Sequence, residues 1–409
     1  MNEKQTNKQK RLKTYLTFAL IFALVLVFMP KTLSGMPEID NKLLVTVIAL
    51  DKSGDKIKLT GTAIMPGENQ TPSVNRATVT GEGNSVSQAL DQISVKNGKP
   101  VELGLCGAVI VGSGFNGESV IPHLNYLVGS GKIIPGAYLL HSLQDTGENI
   151  IKMNNNLSKA SSNGISKVIE YNAVSTNVAT TTILRFLSSS ASTSGGAYMP
   201  CIKFSSGGSG GENMKSQSKN NEQSGGESES SSSEISGLDS VALYNDGVLC
   251  AILNEEETKG YVWTDIRSTL GLVTLEKITV NGEDFYNIPA QLLRKKFNIK
   301  CAFVDGKPTA KLSLNLTLGH DSTDLINQIY KRFKLSGEEM EKLIKNGFSE
   351  QIKSSLKVAV NALKKYGCDS LGIVDNFYKF CHHEYKNYSA KSTIFDDTII
   401  EYEVSVRFA

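Results

Sequence analysis

The sequence predicts a mixed fold in three domains, α/β in its first half and α+β at its end. Three observations carry that prediction. Between Leu43 and Val128 strand-like and helical runs alternate, residues 205–235 are almost wholly Ser, Gly, Glu, Asn, Lys and Gln, and beyond them two alternating runs precede one long amphipathic stripe. Alternating strands and helices mark an α/β domain, whereas strands grouped around one helix mark an α+β domain.

Residues 1–35 read as a leader. Lys4, Lys8, Lys10, Arg11 and Lys13 precede a near-uninterrupted apolar run from Tyr15 to Met29. Basic residues on that side favour an inside N-terminus. As a helix the run would cover roughly 22 Å, short of a full span yet longer than many signal-peptide cores. It therefore suits either a retained membrane anchor or a cleaved signal. Thr32-Leu33-Ser34 offers the small residues a signal peptidase prefers, while Pro30 and Lys31 equally mark the outer end of an anchor.

Residues 37–204 read as an N-terminal α/β domain. Leu43 to Leu50 is a continuous apolar run that suits a buried strand, Asp51 to Asp55 contains a glycine turn, and Ile57 to Met65 returns as its neighbour. Ser85 and Gln88 form a capping-box pattern ahead of Val86, Ala89, Leu90 and Ile93, so a short helix comes next. Val101 to Val111 reads as another strand, and helical patterns resume at Ser119 to Val128 and around Ile165 to Leu187. Thr180 to Thr182 weaken the last of these, because β-branched side chains lose rotamer freedom in a helix. The glycines at 104, 107, 112, 114 and 117 include no GxGxxG between strand and helix, and no P-loop lysine stands after them. They read as an ordinary strand exit.

Residues 205–235 hold Met214 as their one large apolar side chain before Ile235, too little to offset the entropy of ordering about thirty residues. They are expected to be a disordered Ser/Gly-rich insertion. Residues 236–280 then restart as a small middle domain, with two strands from Val241 to Leu253 around an Asn245-Asp246-Gly247 turn.

Residues 281–409 read as a C-terminal α+β domain. Phe297, Ile299, Cys301 and Phe303 alternate with Asn298, Lys300 and Ala302, the chain turns at Asp305-Gly306-Lys307-Pro308, and Leu312, Leu314, Leu316 and Leu318 alternate in return. Ser336 and Glu339 form a second capping box. Met340, Leu343, Ile344, Ile352, Leu356, Val360 and Leu363 mark a helical stripe that ends at Gly367, with Gly347 as a place to kink. Ile400, Tyr402, Val404, Val406 and Phe408 form the last inward row. The expected result is a long helix on a mainly antiparallel sheet.

Composition narrows the chemistry. A net charge of +2 over 409 residues, part of it in the leader, leaves a near-neutral body and no nucleic-acid signature. The cysteines at 106, 201, 250, 301, 368 and 381 are too scattered for a disulfide scaffold and read as buried free thiols, Cys368 with Cys381 being the one pairing left open. No Gly-x-Ser-x-Gly stands in a strand-to-helix setting, and the histidines at 123, 141, 320, 382 and 383 read as satisfied polar residues rather than bases. Cys368, Cys381, His382 and His383 form the one cluster with zinc-ligand chemistry, but adjacent histidines on a helix point about 100° apart. Asp396-Asp397 and Glu255-Glu256-Glu257 read as solvated turns, the latter also suiting the rim of a partner surface. The chain is expected to be no enzyme and to carry no metal and no cofactor.

In order along the chain, several segments resemble the Ger(x)C proteins, the C subunits of the nutrient germinant receptors of bacterial spores. Leu33-Ser34-Gly35 is similar to a lipobox, Met36 stands where the acylated cysteine belongs, and Pro37-Glu38-Ile39-Asp40 looks like a shortened form of the family segment next to that cysteine. The strand ending in Ala49-Leu50-Asp51, the segment Asn245-Asp246-Gly247-Val248-Leu249, and Gly367-Cys368-Asp369-Ser370-Leu371-Gly372 also look like family blocks. The resemblance implies a three-domain mixed fold and a non-catalytic subunit required for germination at the outer face of the spore inner membrane. It also implies two partners, a multi-span A subunit and a transporter-like B subunit, with nutrient recognition resting on them rather than on this chain. A thioether cannot take the diacylglycerol that a thiol accepts, so Met36 speaks against a lipid anchor and for the apolar helix. Apart from the resemblance, a cell-envelope solute-binding or wall-associated module is the alternative.

Overall fold

The computed structural model describes residues 15–24, 41–65, 75–115, 117–143, 146–157, 164–173, 178–205, 234–235, 238–267, 270–280, 282–320, 332, 336–390 and 393–409. The lipobox-like Leu33 to Met36, the end of the apolar leader run and nearly all of the Ser/Gly-rich segment lie outside them. Residues 15–24 are helical. Among the described residues no helix is long and apolar enough to cross a membrane.

The first half of the body supplies β1 (Leu43–Ser53), β2 (Lys56–Met65), β3 (Asn75–Gly83), α1 (Val86–Asn97), β4 (Val101–Glu102), β5 (Ala108–Val111), α2 (Ile121–Gly129), β6 (Tyr138–Ser142), α3 (Gly147–Leu157), α4 (Gly164–Asn172), β7 (Thr181–Thr182), α5 (Ile183–Ser190) and β8 (Gly196–Ile202). Then come β9 (Phe204–Ser205), β10 (Glu234–Ile235), β11 (Val241–Asn245), β12 (Val248–Leu253) and α6 (Glu255–Val262). The chain closes with β13 (Gly271–Val280), β14 (Glu283–Val304), β15 (Lys307–His320), α7 (Gly337–Lys365), α8 (Ile373–Phe380), α9 (His382–Asn387), α10 (Ile394–Asp397) and β16 (Ile399–Phe408).

The first sheet has the order β12-β11-β8-β6-β5-β1-β2-β3. Its centre is parallel, β1 with β5, β5 with β6, and β6 with β8. Both faces are covered. Val45, Ile48, Leu50, Val109 and Leu139 pack with the apolar sides of α1, α2 and α5, whereas Val47, Ala49, Ala108, Ile110 and Leu140 pack with Ile150, Ile151, Ile165 and Ile169 of α3 and α4. Burial on both faces is why these strands are apolar throughout rather than alternating.

Two sequence expectations change here. Val101 to Val111 is two short strands joined by a turn, with Leu103 and Cys106 buried between them. The pattern from Ile165 to Leu187 is two helices rather than one, because Thr181 and Thr182 pair with β6. Thr182 then caps α5, its Oγ1 accepting from the Arg185 N–H.

Residues 236–280, expected as a small middle domain, distribute their strands between the two sheets. β11 and β12 form the hairpin around Asp246 (φ 49°) and Gly247 (φ 78°), and β11 pairs antiparallel with β8. β13 belongs to the second sheet, whose order is β13-β14-β15-β16. That sheet is antiparallel except for β15 with β16. α7 lies over one face, burying Met340, Ile344, Phe348, Ile352 and Leu356 against Leu275, Ile288, Leu314, Leu316 and Val406. Its N-terminus carries the expected capping box of Ser336 and Glu339. Gly347 does not break the helix. A Cβ there would come 2.9 Å from Leu275 Cδ2, so the glycine serves close packing on β13. α6 crosses α7 at Gly260, where an added Cβ would lie 2.0 Å from the Ser355 carbonyl oxygen.

Candidate functional site at the domain junction

The side chains from which metal or nucleophile chemistry was weighed do not gather. Cys368 is buried and donates its thiol to the Tyr244 carbonyl at 3.2 Å, while Cys381 donates to the Cys301 carbonyl at 3.2 Å. Both are free thiols, so the Cys368–Cys381 disulfide does not form. His382 meets the Tyr378 carbonyl and His383 meets Asn387, each on the exposed side of α9. Among the described residues no group of three or more His, Cys, Asp or Glu could hold a metal ion. His123 is tilted against Phe115, and His141 is buried and hydrogen-bonded to the Tyr244 hydroxyl at 2.9 Å. Burial holds His141 down to about 4. The His320 backbone pairs with Ala290 at the end of β15. Glu257 completes a capping box on α6, and Asp397 accepts from the Thr393 and Tyr388 hydroxyls.

The glycine-rich exit after β5 has a definite task. Asp51, at the end of β1, accepts from the N–H groups of Gly147 (2.7 Å) and Glu148 (3.0 Å) at the start of α3. A Cβ on Gly112 would fall 1.8 Å from Asp51 Oδ1, so only glycine fits beside the carboxylate. The helix start that could have taken an anion is already filled by this chain's own.

A cavity of about 260 Å³ opens where the two sheets meet, lined among others by Arg185 of α5, Tyr198 of β8, Tyr261 of α6, Asp265, and Phe297 and Ile299 of β14. Asp265, fully buried, is its electrostatic centre. Arg185 Nη1 donates to Oδ1 at 3.0 Å, the Arg267 N–H to the same oxygen at 3.1 Å, and the Thr180 N–H to Oδ2 at 3.0 Å. The Arg185 guanidinium lies 5.5 Å from the centre of the Tyr198 ring. Burial works against the charge on Arg185, yet Tyr198 and Asp265 outweigh it and hold the guanidinium above its ordinary value. Burial pushes the Tyr198 and Tyr261 hydroxyls up, and each stays a neutral donor, Tyr198 to the Thr180 carbonyl and Tyr261 to Ser370, both at 2.9 Å.

Two strand irregularities and one loop shape the rim. Between Leu292 and Arg294 the register of β14 shifts, turning Lys295 into the interior, where its ammonium donates to the Val262 carbonyl at 3.1 Å. Burial brings Lys295 down to about 8, against the pull of Asp265. The loop Gly367 to Gly372 reaches across to the first sheet through the Cys368–Tyr244 contact, beside the shift in β11 between Leu243 and Tyr244. Gly196 packs so tightly on it that a Cβ would come 2.3 Å from the Asp369 carbonyl oxygen. Asp369, wholly buried, accepts from the Ile373 and Val374 N–H groups at the start of α8 and is raised by burial to about 6. Thus two segments singled out in the sequence, Asn245 to Leu249 and Gly367 to Gly372, lie together at the junction.

Sequence reasoning missed Arg185, Asp265 and Lys295. They stand about eighty residues or some thirty residues apart, no spacing rule links them, and nothing in Arg294-Lys295-Lys296 says which cation turns inward.

A family model described as the spore germination protein N-terminal domain matches residues 35–204, and one described as spore germination B3/GerAC like, C-terminal, matches residues 239–408. Among solved structures, the crystal structure of the GerBC protein is similar at 16% identity and a TM-score of 0.48, over 88% of this chain and 96% of that chain. No curated protein sequence matches.

Proposed function

The chain belongs to the Ger(x)C family of spore germination proteins, and from that membership we propose that it is the non-catalytic, membrane-associated C subunit of a nutrient germinant receptor. It acts with a multi-span A subunit and a transporter-like B subunit at the outer face of the spore inner membrane, and the nutrient is recognised by those partners. The observation that carries this reading is the pair of family matches, in order, one over most of the first sheet and one over the second.

The chemistry of the body supports a non-catalytic role. Its strongest polar groups are committed to one another or to backbone, as Asp265, Asp369, His141 and Asp51 are. Burial pushes the thiols of Cys106 and Cys201 up to about 12, the wrong direction for a nucleophile.

For anchoring, the N-terminal apolar segment is retained and holds the body near its partners, raising their effective concentration. Mass spectrometry of the native N-terminus tests this: peptides reaching Lys10 to Lys13 are expected, and a mature terminus at Gly35 or Met36 would refute it.

The receptor role is tested by deleting the gene and measuring nutrient-triggered germination, with co-purification of the A and B subunits on a tagged copy. Loss of germination, restored by complementation, is expected. Normal germination together with binding to cell wall would replace this reading with the wall-associated alternative.

A further inference from the structure

We propose that the junction cavity is a binding site for a small organic acid, a monocarboxylate with a compact apolar or single-ring body and no ammonium group. The cavity is just under the size of ordinary ligand pockets, about 300–1,000 Å³, which restricts the occupant to a small molecule. Its walls are of two kinds. Tyr198, Tyr261, Phe297, Ile299 and Leu371 give an apolar enclosure, and Arg185, Ser370, Asn298 and Asn376 supply polar groups.

Charge selects the ligand's sign. Arg185 and Lys295 face the single carboxylate of Asp265 and the Arg267 charge acts on Tyr198, while the two Asp265 oxygens already accept three hydrogen bonds, two of them from backbone N–H groups. Positive charge therefore exceeds negative at the site. Arg185 retains 28% side-chain exposure, and among the described residues Asp265 is the one hydrogen-bond partner of its guanidinium, through Nη1. The rest of the planar fork can accept a carboxylate from the cavity side, the pairing for which guanidinium geometry is suited.

Charge also excludes the zwitterion. A bound amino acid would bring an ammonium needing an acceptor of opposite charge, and Asp265, the cavity's one acidic side chain among the described residues, lies beneath Arg185 and is spent on it. The site thus distinguishes an acid from the amino acid of the same shape, since an unpaired buried charge opposes binding.

The test is calorimetry on the full chain in detergent, with benzoate and phenylacetate as probes and L-phenylalanine as the zwitterionic control. Saturable binding of the two acids with a stoichiometry near one is expected, with phenylalanine weaker by about tenfold or more. Arg185→Gln should lower acid affinity by about tenfold to a hundredfold. Because that change leaves Asp265 short of a partner, Asn298→Asp on the exposed side of β14 is the second variant, placing a like charge at the rim of a protein that keeps its fold. Absence of saturable heat for both acids at millimolar concentration would overturn the proposal. So would unchanged acid affinity in Asn298→Asp, or phenylalanine binding as tightly as phenylacetate.

Discussion

The two sheets bury their side chains by different rules. In β5 the neighbours Val109 and Ile110 point to opposite faces and both are fully buried, one toward α1, α2 and α5 and the other toward α3 and α4. In β15 the neighbours Leu314 and Asn315 also point to opposite faces, but only Leu314 is covered, by α7. The difference decides how each sheet is written. A sheet covered twice reads as continuous apolar runs that carry no facing information, whereas a sheet covered once spells out its inner face residue by residue.

The sharpest way to break this comparison is a charge scan. Val109→Asp and Ile110→Asp should each destabilise by more than about 4 kcal/mol, as buried unpaired charges do. In β15, Leu314→Asp should be equally damaging while Asn315→Asp stays within about 0.5 kcal/mol. Urea unfolding followed by circular dichroism reads this directly, and tolerance of either Val109→Asp or Ile110→Asp would end the two-faced account.

The junction between the sheets gives the next largest effect. Asp265→Ala should cost about 3–5 kcal/mol, because it strands Arg185 in a largely buried position. Asp265→Asn, which keeps hydrogen-bonding oxygen, should cost less, and equal losses would show that charge is unimportant there.

A third prediction sets His141 in the first sheet against Asp369 at the junction. Asp369 sits at about 6 instead of 3.8, so the folded state holds its proton longer and its contribution is present below about 4 and lost as pH rises through about 6. His141 sits at about 4 instead of 6.5, so its contribution is present above 6.5 and lost as pH falls through about 4. Each amounts to about 3 kcal/mol at most, and they oppose over the same window. His141→Gln should make stability fall from pH 4 to 6, and Asp369→Asn should make it rise. Parallel profiles for the two variants would refute the assignment.

The smallest effect belongs to a cap. Thr182→Ala should cost about 0.5–2 kcal/mol by leaving the Arg185 N–H at the start of α5 without its acceptor. A loss well beyond that would mean Thr182 supports the junction through Arg267 as well, whose Nη2 lies 3.5 Å from its hydroxyl.

Much of the fold was legible because it is local. The hairpin turns at Gly54, Asp246-Gly247 and Asp305-Gly306 need positive φ and carry the residues that adopt it. The capping box of α7, its apolar stripe and the alternation of β15 likewise stand within a few residues of one another. The close approach of Leu275 to Gly347 was not legible, because a helical glycine has the same sequence signature whether it bends the helix or admits a neighbour.

The sequence by itself thus determined the first hairpin, the turn between β11 and β12, the capped stripe of α7 and which face of the second sheet is inward, since each depends on spacings of two to four residues. Only the tertiary structure decided that β11 pairs with β8, that the register shift in β14 carries Lys295 inside, and that Arg185 and Asp265 meet across the junction. The physical reason is that a contact between distant residues depends weakly on the length of chain between them. Its partner is chosen by shape, burial and charge once the layers have packed, and no periodicity along the chain records that choice.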